Sequence, residues 1–279
     1  MYGFDPATGR SMAPRGTGKS PLLPHSRWPS FFSKVVARLQ WDVNAIDLSE
    51  DARAWPGLPD ERRRRLTTLF AGFRVAEDAV SEQISPFADF MTDSLQAWVF
   101  YLQQRDENRH KLFFDRIAAE VLGLPGATPD ERRAAARADA PAAVLELFEE
   151  RLPALSAELA AGRAKLEEGI ALYHMVLEGI VLSAAQQAVL ADLADGALPG
   201  VREGVERVEL DERWHIGWGL RCLIDLQPSR DVIDDLVAQA EAASAVWGDA
   251  VPPEIRERIA SMPGRRISVA KLIDVHTAA

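Results

Sequence analysis

Two Glu-x-x-His pairs, Glu107 with His110 and Glu212 with His215, constrain this chain more than any other feature. Residues three apart on a helix face the same way, so each pair can present a carboxylate oxygen and an imidazole nitrogen to one metal ion. In 279 residues with 42 acidic side chains and five histidines, one such pair arises readily by chance on a solvated helix face. The placement of two further glutamates gives the pairs their weight.

Apolar periodicity predicts long helices over 59–90, 92–122, 163–194 and 199–226, the first bending at Pro86 and the last stopping before Pro228. Shorter helical pieces are expected over 28–39, within 129–161 and up to Trp247, and no strand alternation or internal repeat is found. Helices this much longer than the usual length of about 11 to 12 residues pack side by side, so the predicted fold is all-α, a four-helix bundle with additional helices. Three apolar stripes run at heptad-like spacing. They are Leu66, Phe70, Phe73, Glu77, Val80, Ile84 and Phe87; then Phe100, Gln103, Glu107, His110, Phe114, Ile117 and Val121; then Val208, Glu212, His215, Gly219, Cys222 and Leu226. Potential ligands interrupt every one of them.

The segment between Glu168 and Asp192 makes the strongest case, because Glu178 is its only formally charged side chain. A carboxylate in such surroundings is costly to bury unless it is protonated, paired or bound to metal. Four helices then supply Glu77, Glu107 with His110, Glu178, and Glu212 with His215, the ligand set of a dinuclear carboxylate site. Oxygen and imidazole donors without thiolate suit iron or manganese. Asp78 is the other acid available beside Glu77, Glu82 and Asp106 are expected on solvated faces, and His174 shares the face of Glu178 as an outer or core histidine.

The net charge of -10 argues against a nucleic-acid partner, which needs clustered positive charge. The single cysteine, Cys222, excludes an intramolecular disulfide and fits a cytoplasmic protein. No run of 18 apolar residues suggests a membrane span. The expected organisation is a flexible arm over 1–26, a helical domain over 27–250 and an extension over 251–279; His25 and His276, in these ends, are given no role.

The fragments AEDAVSEQISPF, DENRHKLFF, YHMVLEG and DERWHIGWG resemble the metal-binding segments of the ribonucleotide reductase small-subunit superfamily of ferritin-like proteins, and most closely its ligand-binding oxidases. The resemblance covers about 41–226. It implies a manganese and iron centre (or two irons) that activates dioxygen for two-electron C–H oxidation, with Glu77 and His110 at one position, Glu107 as the bridge, and Glu178, Glu212 and His215 at the other. It also implies outer support beside His110 from Asp211 and Trp41, a homodimer formed through the long helices, and a bound long-chain fatty acid with Val80 and Phe114 along its channel; no reductant partner is identified.

Ordinary reductase subunits store a radical on a tyrosine where this chain has Phe114, and pass it through a tail tyrosine, whereas the tyrosines here are Tyr2, Tyr101 and Tyr173. A reductase radical subunit and a ferritin-like iron-handling protein are the alternative readings. The oxidases carry an ether cross-link whose positions correspond to Val80 and Tyr173. In a regular helix five residues turn about 500°, so Tyr173 reaches the side of Glu178 only if a π-bulge or bend lies between them.

Overall fold

The computed structural model describes residues 27–91, 93–262 and 264, with the paired strands β1 (Phe4–Asp5) and β2 (Arg10–Ser11). The predicted flexibility of the 1–26 arm, His25, Tyr2, His276 and the extension from 265 onward lie outside the described residues.

The described chain is almost entirely helical, and short elements lead into the bundle. Helix α1 (Trp28–Arg38) and α2 (Ser49–Ala54) precede α3 (Asp60–Gln83), which begins with Asp60 and Glu61 in its first turn, where the helix dipole favours acids. Pro86 cannot continue a helix, and the chain breaks at Ile84 into the short α4 (Ser85–Asp89). The next helix, α5 (Ser94–Arg116), starts where the Asp93 carboxylate accepts from the amides of Leu95 and Gln96, and it runs on into a π turn over Ile117–Val121. The variable region gives α6 (Pro129–Ala136), α7 (Ala142–Leu145) and α8 (Leu152–Ala160), the last two joined by a π segment over Glu146–Arg151.

The third long helix is the irregular one. It begins as α9 (Leu166–Ile170), widens into a π-helical segment over Ala171–Leu182, and returns to α geometry as α10 (Ser183–Asp192). The fourth, α11 (Pro199–Leu226), ends where Gln227 takes a left-handed conformation. Helices α12 (Arg230–Ser244) and α13 (Pro253–Ala260) close the described chain and pack against α10 and the π segment.

Helix α3 lies along α5, and α11 lies along the π segment and α10. Gly219 permits the second approach, since a Cβ there would sit 2.3 Å from the Cβ of His174. The helix Leu166–Asp195 is long and apolar enough to cross a membrane, but 72% of its apolar window is buried inside this bundle. Its apolarity forms the core that holds Glu178.

Candidate metal centre

Glu77 comes from α3, Glu107 and His110 from α5, Glu178 from the π segment, and Glu212 and His215 from α11. All six are buried, none more than 1% exposed. Donor atoms of Glu77, Glu107, His110 and Glu212 lie within 4.8 Å of one another, as do those of Glu107, Glu178 and His215. Glu107 spans the two groups, with Oε2 3.2 Å from Nδ1 of His110 and Oε1 3.0 Å from Nδ1 of His215. Glu212 does the same, its two oxygens each 3.4 Å from one of those nitrogens. Glu77 and Glu178 stand at the ends, 3.7 Å from His110 and 3.5 Å from His215. The resemblance placed Glu212 with Glu178 and His215 alone, whereas here its carboxylate lies between both histidines.

The donors fit a pair of cations. Both oxygens of Glu77 and Glu212, one each of Glu107 and Glu178, and Nδ1 of both histidines are buried without a hydrogen-bond partner. Buried carboxylates left this way are strongly unfavourable, and two divalent ions would balance four of them. Without cations such a site would hold protons instead. Burial, chiefly, pushes Glu77 up to about 8 and raises Glu178 well above its ordinary range. Burial alone would lower the two histidines, but Asp211 at the outer nitrogen of His110 and the glutamates around both rings outweigh it and hold both well above 6.5.

Behind each histidine stands an aspartate from the opposite helix. Nε2 of His110 is 3.2 Å from Oδ2 of Asp211, which accepts from the indole of Trp41 at 2.8 Å. Nε2 of His215 is 4.0 Å from Oδ2 of Asp106, which accepts from the indole of Trp214 at 3.2 Å. Asp106 was expected to be solvated, but it is fully buried. The sequence did carry a signal for it, because both motifs read Asp-Glu-x-x-His. Trp214 and Arg109 were given no role either; Arg109 reaches Asp211 at 2.6 Å and Asp106 at 2.9 Å. Asp78 is buried away from the donors in ion pairs with Arg74, Lys111 and Arg133, and Glu82 is half-exposed as expected.

The π segment brings Tyr173 and Glu178 to one side, because its i to i+5 repeat returns residues five apart toward a common face. Gln103, on the α5 stripe but given no role from sequence, donates to Oε1 of Glu178 at 2.8 Å and to the Tyr173 hydroxyl at 3.2 Å. That hydroxyl donates to Oε1 of Glu107 at 2.9 Å. Nε2 of His174 lies 3.1 Å from Oε1 of Gln103, so this histidine supports Glu178 through an amide, and burial pulls its pKa down to about 3. Val80 is fully buried one turn after Glu77, and Phe114 stacks on Phe73 with centroids 4.5 Å apart.

Fold and site together define a ferritin-like helical bundle with a buried carboxylate-histidine cluster that could hold metal. No protein-family model matches the sequence. Among solved structures, the chain is similar to an R2-like ligand-binding oxidase from Sulfolobus acidocaldarius, with a TM-score of 0.72 at 20% identity over 87% of this chain and 90% of that one. It is also similar to variants of an R2-like ligand-binding oxidase with anaerobically reconstituted Mn/Fe cofactor. One gives a TM-score of 0.70 at 17% identity over 88% of this chain and 93% of the other. A second, a tyrosine-to-phenylalanine variant, gives 0.69 at 19% over the same shares.

Proposed function

We propose that this protein is a dinuclear-metal oxidase that activates dioxygen for two-electron oxidation of a C–H bond. The observation that carries the reading is the ring of six buried donors with their unpartnered atoms turned inward. Manganese with iron is the proposed pairing, supported by the Mn/Fe cofactor of the similar oxidases and by the absence of thiolate from the donor set. Glu77 and His110 would hold one ion and Glu178 and His215 the other, with Glu107 and Glu212, each near both histidines, available to either. When bound, the metal pair would supply the redox chemistry that dioxygen activation needs.

The chain's own residues supply position and a dry interior. Asp211 accepts from the outer N–H of His110, which fixes that ring's orientation, while Asp106 stands 4.0 Å behind the outer nitrogen of His215 as a charge rather than a hydrogen-bond partner. Gln103 orients Glu178 and Tyr173 together. Phe73, Val80 and Phe114 are buried apolar residues on the helix stripes that carry Glu77 and Glu107, and in this proposal the chain of a fatty acid would lie beside them with its carboxylate toward the cations. Val80 and Tyr173 would form the ether cross-link in this proposal: a bond joins the Val80 Cβ to the Tyr173 oxygen as the C–H and O–H bonds break, and their two protons and two electrons, with two electrons from the metal pair and two protons from solvent, would reduce one dioxygen to two waters. The burial of Val80 one turn from Glu77 and the hydrogen bond of Tyr173 to Glu107 support it.

The protein acts as a homodimer in the same proposal. Helix α5 keeps Leu95 and Trp98 more than a third exposed, while Val99 and Phe100 are buried in the chain's own core. A monomer mass in sedimentation would refute the dimer. The test of function is aerobic assembly with manganese and iron, expected to load about two ions per chain. It should also give a protein lighter by two hydrogens than its anaerobic counterpart, with peptides containing Val80 and Tyr173 joined. Fewer than one ion per chain would sink the dinuclear reading. Two ions with identical peptide maps would sink the cross-link.

A further inference from the structure

The outer supports of the two histidines are not separate. Arg109 lies between Glu107 and His110 in sequence, and its Nη2 reaches both supporting carboxylates, Asp211 Oδ2 at 2.6 Å and Asp106 Oδ1 at 2.9 Å. Its Nη1 donates to Gln40 at 3.2 Å, and its guanidinium stacks 4.9 Å over the Trp41 ring. The side chain is 10% exposed, so these contacts are made largely out of water. Asp106 and Asp211, both fully buried, thus meet one guanidinium nitrogen from two different helices. Such a pair of buried anions demands a shared cation.

The supports are also crossed. Asp106 belongs to α5 but backs His215 on α11, while Asp211 belongs to α11 and backs His110 on α5. The guanidinium therefore ties the aspartate hydrogen-bonded to the outer nitrogen of His110, at 3.2 Å, to the aspartate that faces the outer nitrogen of His215 across 4.0 Å. Any reorientation of His110 that shifts Asp211 is transmitted to Asp106 and His215 through one planar, rigid group, which a flexible ammonium reproduces poorly.

We propose that Arg109 is a positioning residue that couples the two metal positions, so that filling one prepares the other and the ions enter as a pair. The coupling rests on the dinuclear reading above but not on any oxygen chemistry. Among the described residues Asp106 has a second arginine, Arg105 at 3.3 Å, whereas Asp211 keeps the Trp41 indole and the His110 ring but no second arginine once Arg109 is removed. The loss is therefore unequal, and the position held by His110 weakens more.

The experiment loads the full chain with manganese(II) below stoichiometry and reads the electron paramagnetic resonance spectrum, which separates spin-coupled pairs from isolated ions. In the parent protein, half-loading should give coupled pairs beside empty chains. In Arg109→Ala the same loading should give isolated ions, with affinity for the weaker position lowered about 10- to 100-fold, the range usual for lost outer support. Arg109→Lys, which retains the charge, keeps the test decisive if the alanine variant folds poorly, and it should give a mixture of pairs and single ions. Circular dichroism and metal-free melting report folding separately. Coupled pairs at half-loading in a folded variant, or isolated ions already in the parent protein, would overturn the coupling. A parent protein that never binds a second ion would instead overturn the dinuclear reading on which it rests.

Discussion

The His110 half of the centre and the His215 half use the same residue types in the same order, yet they are braced unequally. His110 has its aspartate at 3.2 Å, and that aspartate takes an indole at 2.8 Å and the guanidinium at 2.6 Å. For His215 the corresponding distances are 4.0, 3.2 and 2.9 Å. The inner halves differ too: Glu77 stands on a regular helix, whereas Glu178 stands on the π segment with Gln103 and Tyr173 beside it. Near-symmetric ligands thus sit in two different surroundings, an arrangement able to hold two different ions through contacts outside the ligand set.

The largest effect should come from removing what the halves share. Glu107→Ala deletes a carboxylate that reaches both histidines, so metal analysis should fall from about two ions per chain to fewer than one. Full retention would refute the shared role. Removing an end ligand should separate the halves: Glu77→Ala and Glu178→Ala should each retain about one ion. The remaining ion should be held more weakly than in the parent protein, as coupling between the positions requires, and an ion held with parental affinity would show that the halves bind independently. A smaller effect distinguishes the braces. Asp211→Asn should weaken metal binding about 10- to 100-fold, and Asp106→Asn, acting across the longer contact, by less; the reverse order in a competitive titration would contradict the reading of the distances.

Much of this was legible in the sequence because long amphipathic helices make burial periodic. Glu77, Glu107 and Glu212 fall on apolar stripes, and a charge on an apolar stripe predicts its own burial. Glu178 was legible for a related reason, being the lone charge in a long apolar run. The π segment was legible only as a contradiction, since Tyr173 and Glu178 do not share a face in a regular helix; the hydrogen bonds of Gln103 to both are what the widened turns achieve. Asp106 was missed because helical phase put it on a polar face, and that face is covered by α11, which brings Trp214 and His215 against it. A face that is polar in one helix is solvated only if no neighbour packs there, which single-helix periodicity cannot register. Arg109 was missed for the same reason, its partner Asp211 lying on another helix.

The last and smallest effect concerns pH and sharpens the comparison of the two halves without any variant of a shared ligand. In the metal-free protein burial raises Glu77 from its ordinary 4.5 to about 8, against lowering by His110 and further raising by Glu212 and Glu107. A group whose folded pKa is raised contributes stability that is fully present below 4.5 and is lost as pH rises through about 8. His110 and His215, raised above 6.5, act in the same direction over the alkaline side of neutrality. The opposing groups have finished titrating by then: Glu107 is lowered below 4.5, and His174 stays neutral above its value of about 3. Metal-free protein should therefore melt several degrees lower at about pH 9 than at about pH 7, while metal-loaded protein, whose cations replace those protons, should not. Glu77→Gln should remove part of this slope from the His110 half. A metal-free melting temperature that rises between those two pH values would show that the carboxylates of the His110 half are already ionised in the folded chain.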